Sequence, residues 1–355
     1  MKDTIITGVR VRKVYAALHV PFTIASGSHE KLDNVFLEIK LENGVRGYGE
    51  GASSAHITGE SQSQIYAELE KAAKWIRGKN ACDYHLLAEA EYKISCRAAL
   101  TAFEMAVLDA WSKTLEVPLW KFFGDKANKI KSDITVVVGG EKSEEDFLEK
   151  MWRTGFDIFK IKIGTNFDED IKRVLFISNK FPGARIYLDA NCGYKAKTSL
   201  KFMKELNKRN VFPAVFEQPA LREDFDGLKF LSGKLNVPVC ADESASTFED
   251  AFRIIKYGCS AINIKLMKFG LLRSREIFNL AKAKGTKLMI GEMLESPLSS
   301  VCAAHFAAGL GGFDFIDLDT PFFLKTNPTQ DRGIIRKNGI YEVSGVCSGI
   351  GVEPV

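Results

Sequence analysis

Five charged residues recur at similar intervals along the chain: Lys162, Asp189, Glu217, Asp242 and Lys265, spaced by 27, 28, 25 and 23 positions. Three are carboxylates with no His or Cys beside them, a donor set that suits Mg2+ rather than Zn2+. The lysines stand at either end of the series. A lysine is a weak base at its ordinary pKa of about 10.4. A neighbouring cation, here Lys160, and a nearby metal lower that value toward neutrality. A proton α to a carboxylate is very weakly acidic, and its removal requires charge stabilisation of the enediolate, which a metal supplies. Two lysines on opposite faces of one carbon allow deprotonation on one side and reprotonation on the other. That is a 1,1-proton transfer, the chemistry of racemisation or epimerisation.

The elements that must position these residues are short and regular. Eight apolar segments recur from Asp133 onward, each followed by a helical stretch: 133–139, 156–164, 184–191, 213–219, 237–244, 260–266, 287–293 and 313–319. One strand, one loop and one helix need about the observed spacing, and eight such units make an α/β fold of the (β/α)8, TIM-type barrel class. An open doubly wound sheet is the structural rival, but no GxGxxG turn follows the first strand, which also argues against a nucleotide site. Lys160 and Lys162 end the second strand, Asp189 the third, Glu217 the fourth, Asp242 the fifth, Lys265 the sixth, and Asp317 and Asp319 the eighth. In a barrel these ends open onto one mouth, where active sites lie. Buried charge costs several kcal/mol unless paired or metal-bound, and five successive strands each delivering one are poorly explained as structural ion pairs.

Before the barrel, 7–18 and 34–51 alternate apolar and polar residues around an Asn43-Gly44 turn, as strands of a hairpin do. The segment 21–33, with Gly27 flanked by serines, reads as a mobile loop. Residues 63–78 and 97–115 carry helical periodicity. The expected division is an α+β capping domain over 1–130, completed by 326–355, and a barrel over 131–325. Net charge is +4, from 49 basic and 45 acidic residues, too balanced to indicate nucleic-acid binding. Seven widely spaced cysteines with no CxxC pair argue against a disulfide framework or zinc site and for a reducing compartment. With no signal-like or membrane-spanning stretch, the expected location is the cytoplasm.

The segments FKIKIG, LDAN, EQP, ADES and INIKL, together with GYGEG and the helix AALTAFEMAVLDAWSK, resemble the muconate-lactonizing-enzyme subgroup of the enolase superfamily, and most closely its dipeptide epimerases of the L-Ala-D/L-Glu type. The resemblance implies Lys162 and Lys265 as acid/base catalysts and Asp189, Glu217 and Asp242 as ligands of one Mg2+. It implies that Lys160 helps polarise the substrate carboxylate, and that Asp317 and Asp319 hold the α-ammonium group of a dipeptide. This last pair separates dipeptide epimerases from o-succinylbenzoate synthases, N-acylamino acid racemases and muconate cycloisomerases, which remain the alternatives within the subgroup; the plainer reading is that the pair only caps the turn before Pro321. A non-catalytic binding barrel is the alternative of another class. Thr135, Glu292, Met293 and Gly27 complete the expected substrate-binding set. The Arg that pairs with a Glu side chain in the Ala-Glu type is missing from the loop around Gly27, and Glu292 stands where a small polar residue is common. A neutral or cationic residue at the epimerised position is therefore expected instead of Glu. His29 and His56 fall in cap loops, while His305, in an apolar helix, reads as a core residue. The expected partners are a dipeptide and, as such barrels often assemble, further copies of the chain.

Overall fold

A computed structural model describes residues 3–24, 27–55, 57–136 and 141–355, the side chains of 20–29 and 141–143 lying outside that description. The chain begins with an antiparallel sheet of β1 (Ile6–Ile24), β2 (Gly27–Leu41) and β3 (Arg46–Gly51) in that order. Gly44, at φ +86°, turns β2 into β3, the left-handed conformation that glycine adopts without penalty. The segment 21–33 is not the expected loop. Residues 21–24 and 27–33 of it continue the β1–β2 ladder, with Phe22 opposite His29 and Ala17 opposite Lys31.

Helices α1 (Gln62–Ile76), α2 (Tyr84–Lys93) and α3 (Arg97–Thr114) follow, α1 opening with a capping box between Ser61 and Gln64. The glycines of β3 let the sheet lie directly on α3: a Cβ on Gly49 would stand 1.9 Å from the Ala102 carbonyl oxygen. Fourteen of the residues of α3 are buried, so this helix is core on nearly every side.

After β4 (Ile130–Lys131), eight parallel strands run in sequence order: β5 (Ile134–Val136), β6 (Ile158–Lys162), β7 (Arg185–Asp189), β8 (Val215–Glu217), β9 (Val239–Ala241), β10 (Ala261–Lys265), β11 (Lys287–Gly291) and β12 (Phe315–Asp317). Each expected strand segment contains one of them. The helices α4 (Glu141–Thr154), α5 (Phe167–Lys180), α6 (Ala196–Asn207), α7 (Phe225–Lys234), α8 (Phe248–Tyr257), α9 (Leu266–Lys284) and α10 (Pro297–Leu310) lie between successive strands. The two edge strands meet through the Asp133 amide on the Ile316 carbonyl, 3.1 Å, and the Leu318 amide on Ser132 Oγ, 2.7 Å. Tyr187, Val215, Cys240, Ala261, Met289 and Phe315 fill the barrel floor, all on the inward phase of their strands.

Beyond the barrel, β13 (Thr329–Gln330), β14 (Ile340–Tyr341) and β15 (Glu353–Pro354) are short; β14 pairs with β4 and β13 with β15. The C-terminal segment meets the region of α3, where the Ile350 amide donates to Asp109 Oδ1, 2.8 Å, and the Leu119 amide to the Gly349 carbonyl. His305 is fully buried in α10, as expected. Its Nδ1 accepts the Trp120 amide and its Nε2 lies 3.0 Å from the Ile350 carbonyl oxygen. All seven cysteines are free. Among the described residues, no helix is long and apolar enough to cross a membrane.

Candidate active site

Strand alternation carries the site upward from the apolar floor. Two residues beyond Tyr187 is Asp189, two beyond Val215 is Glu217, two beyond Cys240 is Asp242, and two beyond Phe315 is Asp317. Each is therefore on the inward phase, one step nearer the mouth. Lys162, Asp189, Glu217, Lys265 and Asp317 are the last residues of their strands, whereas Asp242 and Asp319 stand just past theirs. All seven are nearly completely buried.

Ammonium groups bridge the carboxylates. Lys162 Nζ is 2.6 Å from Asp189 Oδ2, and Lys265 Nζ is 2.8 Å from Asp242 Oδ2. Lys162 and Lys265 come from β6 and β10, four strands apart in a ring of eight, which puts them on opposite flanks of the mouth. Lys160 Nζ reaches Asp189, Glu217 and Asp317 at 3.2, 2.7 and 2.6 Å. The contact with Asp317 is a hydrogen bond, those with Asp189 and Glu217 are ion pairs, and the ammonium also lines the cleft where a substrate carboxylate would lie. Lys268 was not singled out in the sequence. It lies three residues past Lys265 and donates to Asp242 Oδ1, 2.9 Å, and to the Asp242 carbonyl.

The electrostatics follow from burial and these pairings. Burial opposes ionisation of Asp189, but Lys162 and Lys160 hold its carboxyl down to about 2; Lys265 and Lys268 likewise keep Asp242 well below the usual carboxylate range. Burial and then Asp189 push Glu217 up to about 8. Lys265 is held above the ordinary lysine range: burial opposes its charge, and Asp242 outweighs that. Glu217 adds to the same effect.

The buried acceptors exceed the donors. Glu217 Oε2, Asn191 Oδ1 and Glu243 Oε2 have no aligned hydrogen-bond donor, and Asn191 Nδ2 donates to Glu243 Oε1 at 3.0 Å. Buried oxygens of this kind normally find a partner, and a set made only of hard oxygens, beside Asp189 and Asp242, fits a divalent cation of the Mg2+ type. Asn191 and Glu243 belong to LDAN and ADES, and their closeness to the expected ligands in sequence was the available signal. Among the described residues, however, the three carboxylates whose oxygens all lie within 4.8 Å of one another are Asp133, Asp317 and Asp319, not the expected trio.

The mouth is a cleft of about 70 Å3 lined by Lys160, Lys162, Lys265, Asn191, Asp317 and Asp319, and by Thr135, Thr320, Glu292, Met293 and Leu294. Ser53, Ser54 and Ile57 from the segment after β3 line its other side. Asp319 does not cap the following helical turn; its Oδ2 accepts the Thr135 amide at 2.5 Å. Glu292 faces the cleft with both oxygens occupied, by the Thr320 amide at 2.7 Å and Ser300 Oγ at 2.6 Å. Burial, with Glu295 beside it, raises its carboxyl well above the usual range. His56 lies outside the described residues, and Gly27 and His29 outside the described side chains.

Known proteins match this architecture from end to end. Residues 6–124 match the mandelate racemase/muconate lactonizing enzyme N-terminal domain and 144–355 the enolase C-terminal domain-like family. A hydrophobic dipeptide epimerase of Citrifermentans bemidjiense is 39% identical over 96% of this chain and 95% of its own. An aromatic dipeptide epimerase of Herpetosiphon aurantiacus is 35% identical over 99% of each chain. The crystal structure of the Enterococcus faecalis dipeptide epimerase, complexed with Mg and L-Leu-L-Tyr, superposes with a TM-score of 0.93 at 32% identity, covering 98% of this chain and 99% of that one. The chain belongs to the mandelate racemase/muconate lactonizing enzyme family of the enolase superfamily.

Proposed function

We propose that this protein is a Mg2+-dependent dipeptide epimerase that inverts the α-carbon of the C-terminal residue of an L,L-dipeptide. The observation that carries this reading is the pair Lys162 and Lys265, delivered from opposite flanks of one carboxylate-lined mouth. One lysine takes the α-proton, the other returns a proton to the opposite face, and the chain reads as a barrel over 131–325 under a cap of 1–130 closed by 326–355. Asp189, Glu217 and Asp242 are the residues that would hold Mg2+, with Asn191 and Glu243 beside them. When bound there, the ion supplies positive charge to the enediolate oxygens. Lys160 ties Asp189 and Glu217 to Asp317, so the metal end and the ammonium end of the mouth are fixed relative to each other. Asp317 and Asp319 receive the substrate's α-ammonium group, which favours a dipeptide over the amine-free substrates of the related subgroup activities.

For the side chain at the epimerised carbon, the cleft offers Ile57, Met293, Leu294 and two serines. It has no arginine among its described lining residues to meet a Glu. Glu292 spends both oxygens on Thr320 and Ser300 and is disposed to be neutral, so it supplies little attraction for a cation. We therefore favour a neutral, apolar residue. The test is a dipeptide library in D2O with Mg2+, scoring α-deuterium uptake: L-Ala-L-Leu or L-Ala-L-Met types should lead. A strong preference for L-Ala-L-Glu, or for Lys or Arg at the second position, would overturn this preference.

A further inference from the structure

Asp133 is the buried group that the mechanism leaves unused. It immediately precedes β5, is fully buried, and neither of its carboxyl oxygens has a hydrogen-bond partner. An unpartnered buried carboxylate is costly and calls for a specific reason. One of its oxygens lies within 4.8 Å of one oxygen each of Asp317 and Asp319. A cation of the same cluster, Lys160 from β6, already pairs with Asp189, Glu217 and Asp317. Glu217 from β8 and Tyr187 from β7 also face this region, and neither supplies positive charge.

A carboxyl buried without a partner beside two further carboxyls is driven to its neutral, protonated form. Charge counting then gives a simple result. With Asp133 neutral, the cluster keeps the negative charges of Asp317 and Asp319, and Lys160, shared with Asp189 and Glu217, offsets only part of them. The remainder is open to an incoming ammonium group. Asp133 itself is absent from the lining of the cleft, so it reaches the substrate only through its neighbours.

We propose that Asp133 is a positioning residue that faces Asp317 and Asp319 as a neutral, protonated acid, limiting the negative charge at the ammonium end of the mouth and holding the two aspartates in place. This rests on the reading of Asp317 and Asp319 as the ammonium subsite. Burial, followed by the charges of Asp317 and Asp319, raises the Asp133 carboxyl well above the ordinary range, in agreement with the geometry.

The test compares Asp133→Asn, which keeps a neutral hydrogen-bond donor of the same shape, with Asp133→Leu, which removes it, in the full Mg2+-loaded chain. Asp133→Asn should keep kcat/KM for the best dipeptide within roughly threefold, and Asp133→Leu should raise KM by about tenfold or more with kcat changed less. The infrared difference spectrum of wild type minus Asp133→Asn, with no substrate present, should show the C=O stretch of a protonated carboxylic acid. That readout stands even if no dipeptide is turned over, so loss of the proposed activity and loss of the proposed proton are separable. A carboxylate band in place of the acid band, or an Asp133→Asn variant as impaired as Asp133→Leu, overturns the proposal.

Discussion

Lys160 and Asp317 are joined at 2.6 Å between the second and eighth barrel strands, and the same ammonium also holds Asp189 and Glu217. Removing one partner from a buried charge network leaves the others uncompensated, at a cost of roughly 3–5 kcal/mol. Lys160→Met should therefore lower the urea midpoint markedly and abolish turnover. The double variant Lys160→Met/Asp317→Leu should recover part of the stability but none of the activity. Equal midpoints for the wild type and Lys160→Met would show that the network adds nothing to the fold.

Substrate selection turns on Asp317 and Asp319. Changing either to Asn should raise KM for a dipeptide by about ten- to a hundredfold, the equivalent of roughly 1.4–2.8 kcal/mol of lost binding. An N-acetylated dipeptide, which lacks the ammonium charge, should lose much less. The comparison is steady-state epimerisation of the two substrates by each variant; parallel losses would remove the ammonium assignment.

Metal binding has a readout apart from catalysis. Mg2+ placed among Asp189, Glu217 and Asp242 binds the folded chain and not the unfolded one, so millimolar Mg2+ should raise Tm. Asp189→Asn and Asp242→Asn should cancel that rise. Persistence of the full shift in both variants would place the ion elsewhere, with the Asp133, Asp317 and Asp319 group the next candidate.

The barrel and its cap were legible in the sequence because alternation and spacing are local properties. Every expected barrel strand is present, and Lys160, Lys162, Lys265, Asp317 and Asp319 from their ends line one cleft. Three features were not legible. The segment 21–33 looked like a loop because Gly27 and its serines are turn formers, yet the ladder from β1 and β2 overrides that composition. Lys268 and Asp133 gave no signal, since a lysine one helical turn past Lys265 and an aspartate ahead of a strand are ordinary as sequence. Their importance arises from what the tertiary fold places against them, Asp242 in one case and Asp317 with Asp319 in the other. The carboxylates that hold Lys265 above the ordinary lysine range arrive from other strands, which spacing along the chain does not show.

His305 gives a pH signature. Burial lowers its pKa from 6.5 to about 4, so the unfolded chain binds a proton that the folded one does not. The associated stability is complete above the unfolded value and is lost as pH falls from about 6.5 toward 4, totalling roughly 3 kcal/mol. Urea unfolding at pH 7.5 and 4.5 should show a drop that His305→Gln reduces. The same pH dependence in both proteins would exclude His305 as its source.

Gly270 carries a different kind of constraint. It kinks α9 with φ +77°, and a Cβ there would stand 2.7 Å from Glu104 Oε2, the carboxylate of α3 that accepts the Leu271 and Leu272 amides beyond the kink. Gly270→Ala should cost about 1 kcal/mol or more and, by shifting the turn that carries Lys268 just past Lys265, reduce kcat more than it raises KM. A variant with unchanged kcat and a normal Tm would contradict this coupling between cap and mouth.

The most direct test of two-faced proton transfer is α-proton exchange in D2O with Mg2+, run separately on the two epimers of the preferred dipeptide with Lys162→Ala and Lys265→Ala. Each variant should fail to epimerise yet still exchange the α-proton of one epimer, and the two variants should favour opposite epimers. Exchange of both epimers by either variant, or the same epimer exchanged by both, would contradict the assignment of Lys162 and Lys265 to opposite faces of one carbon.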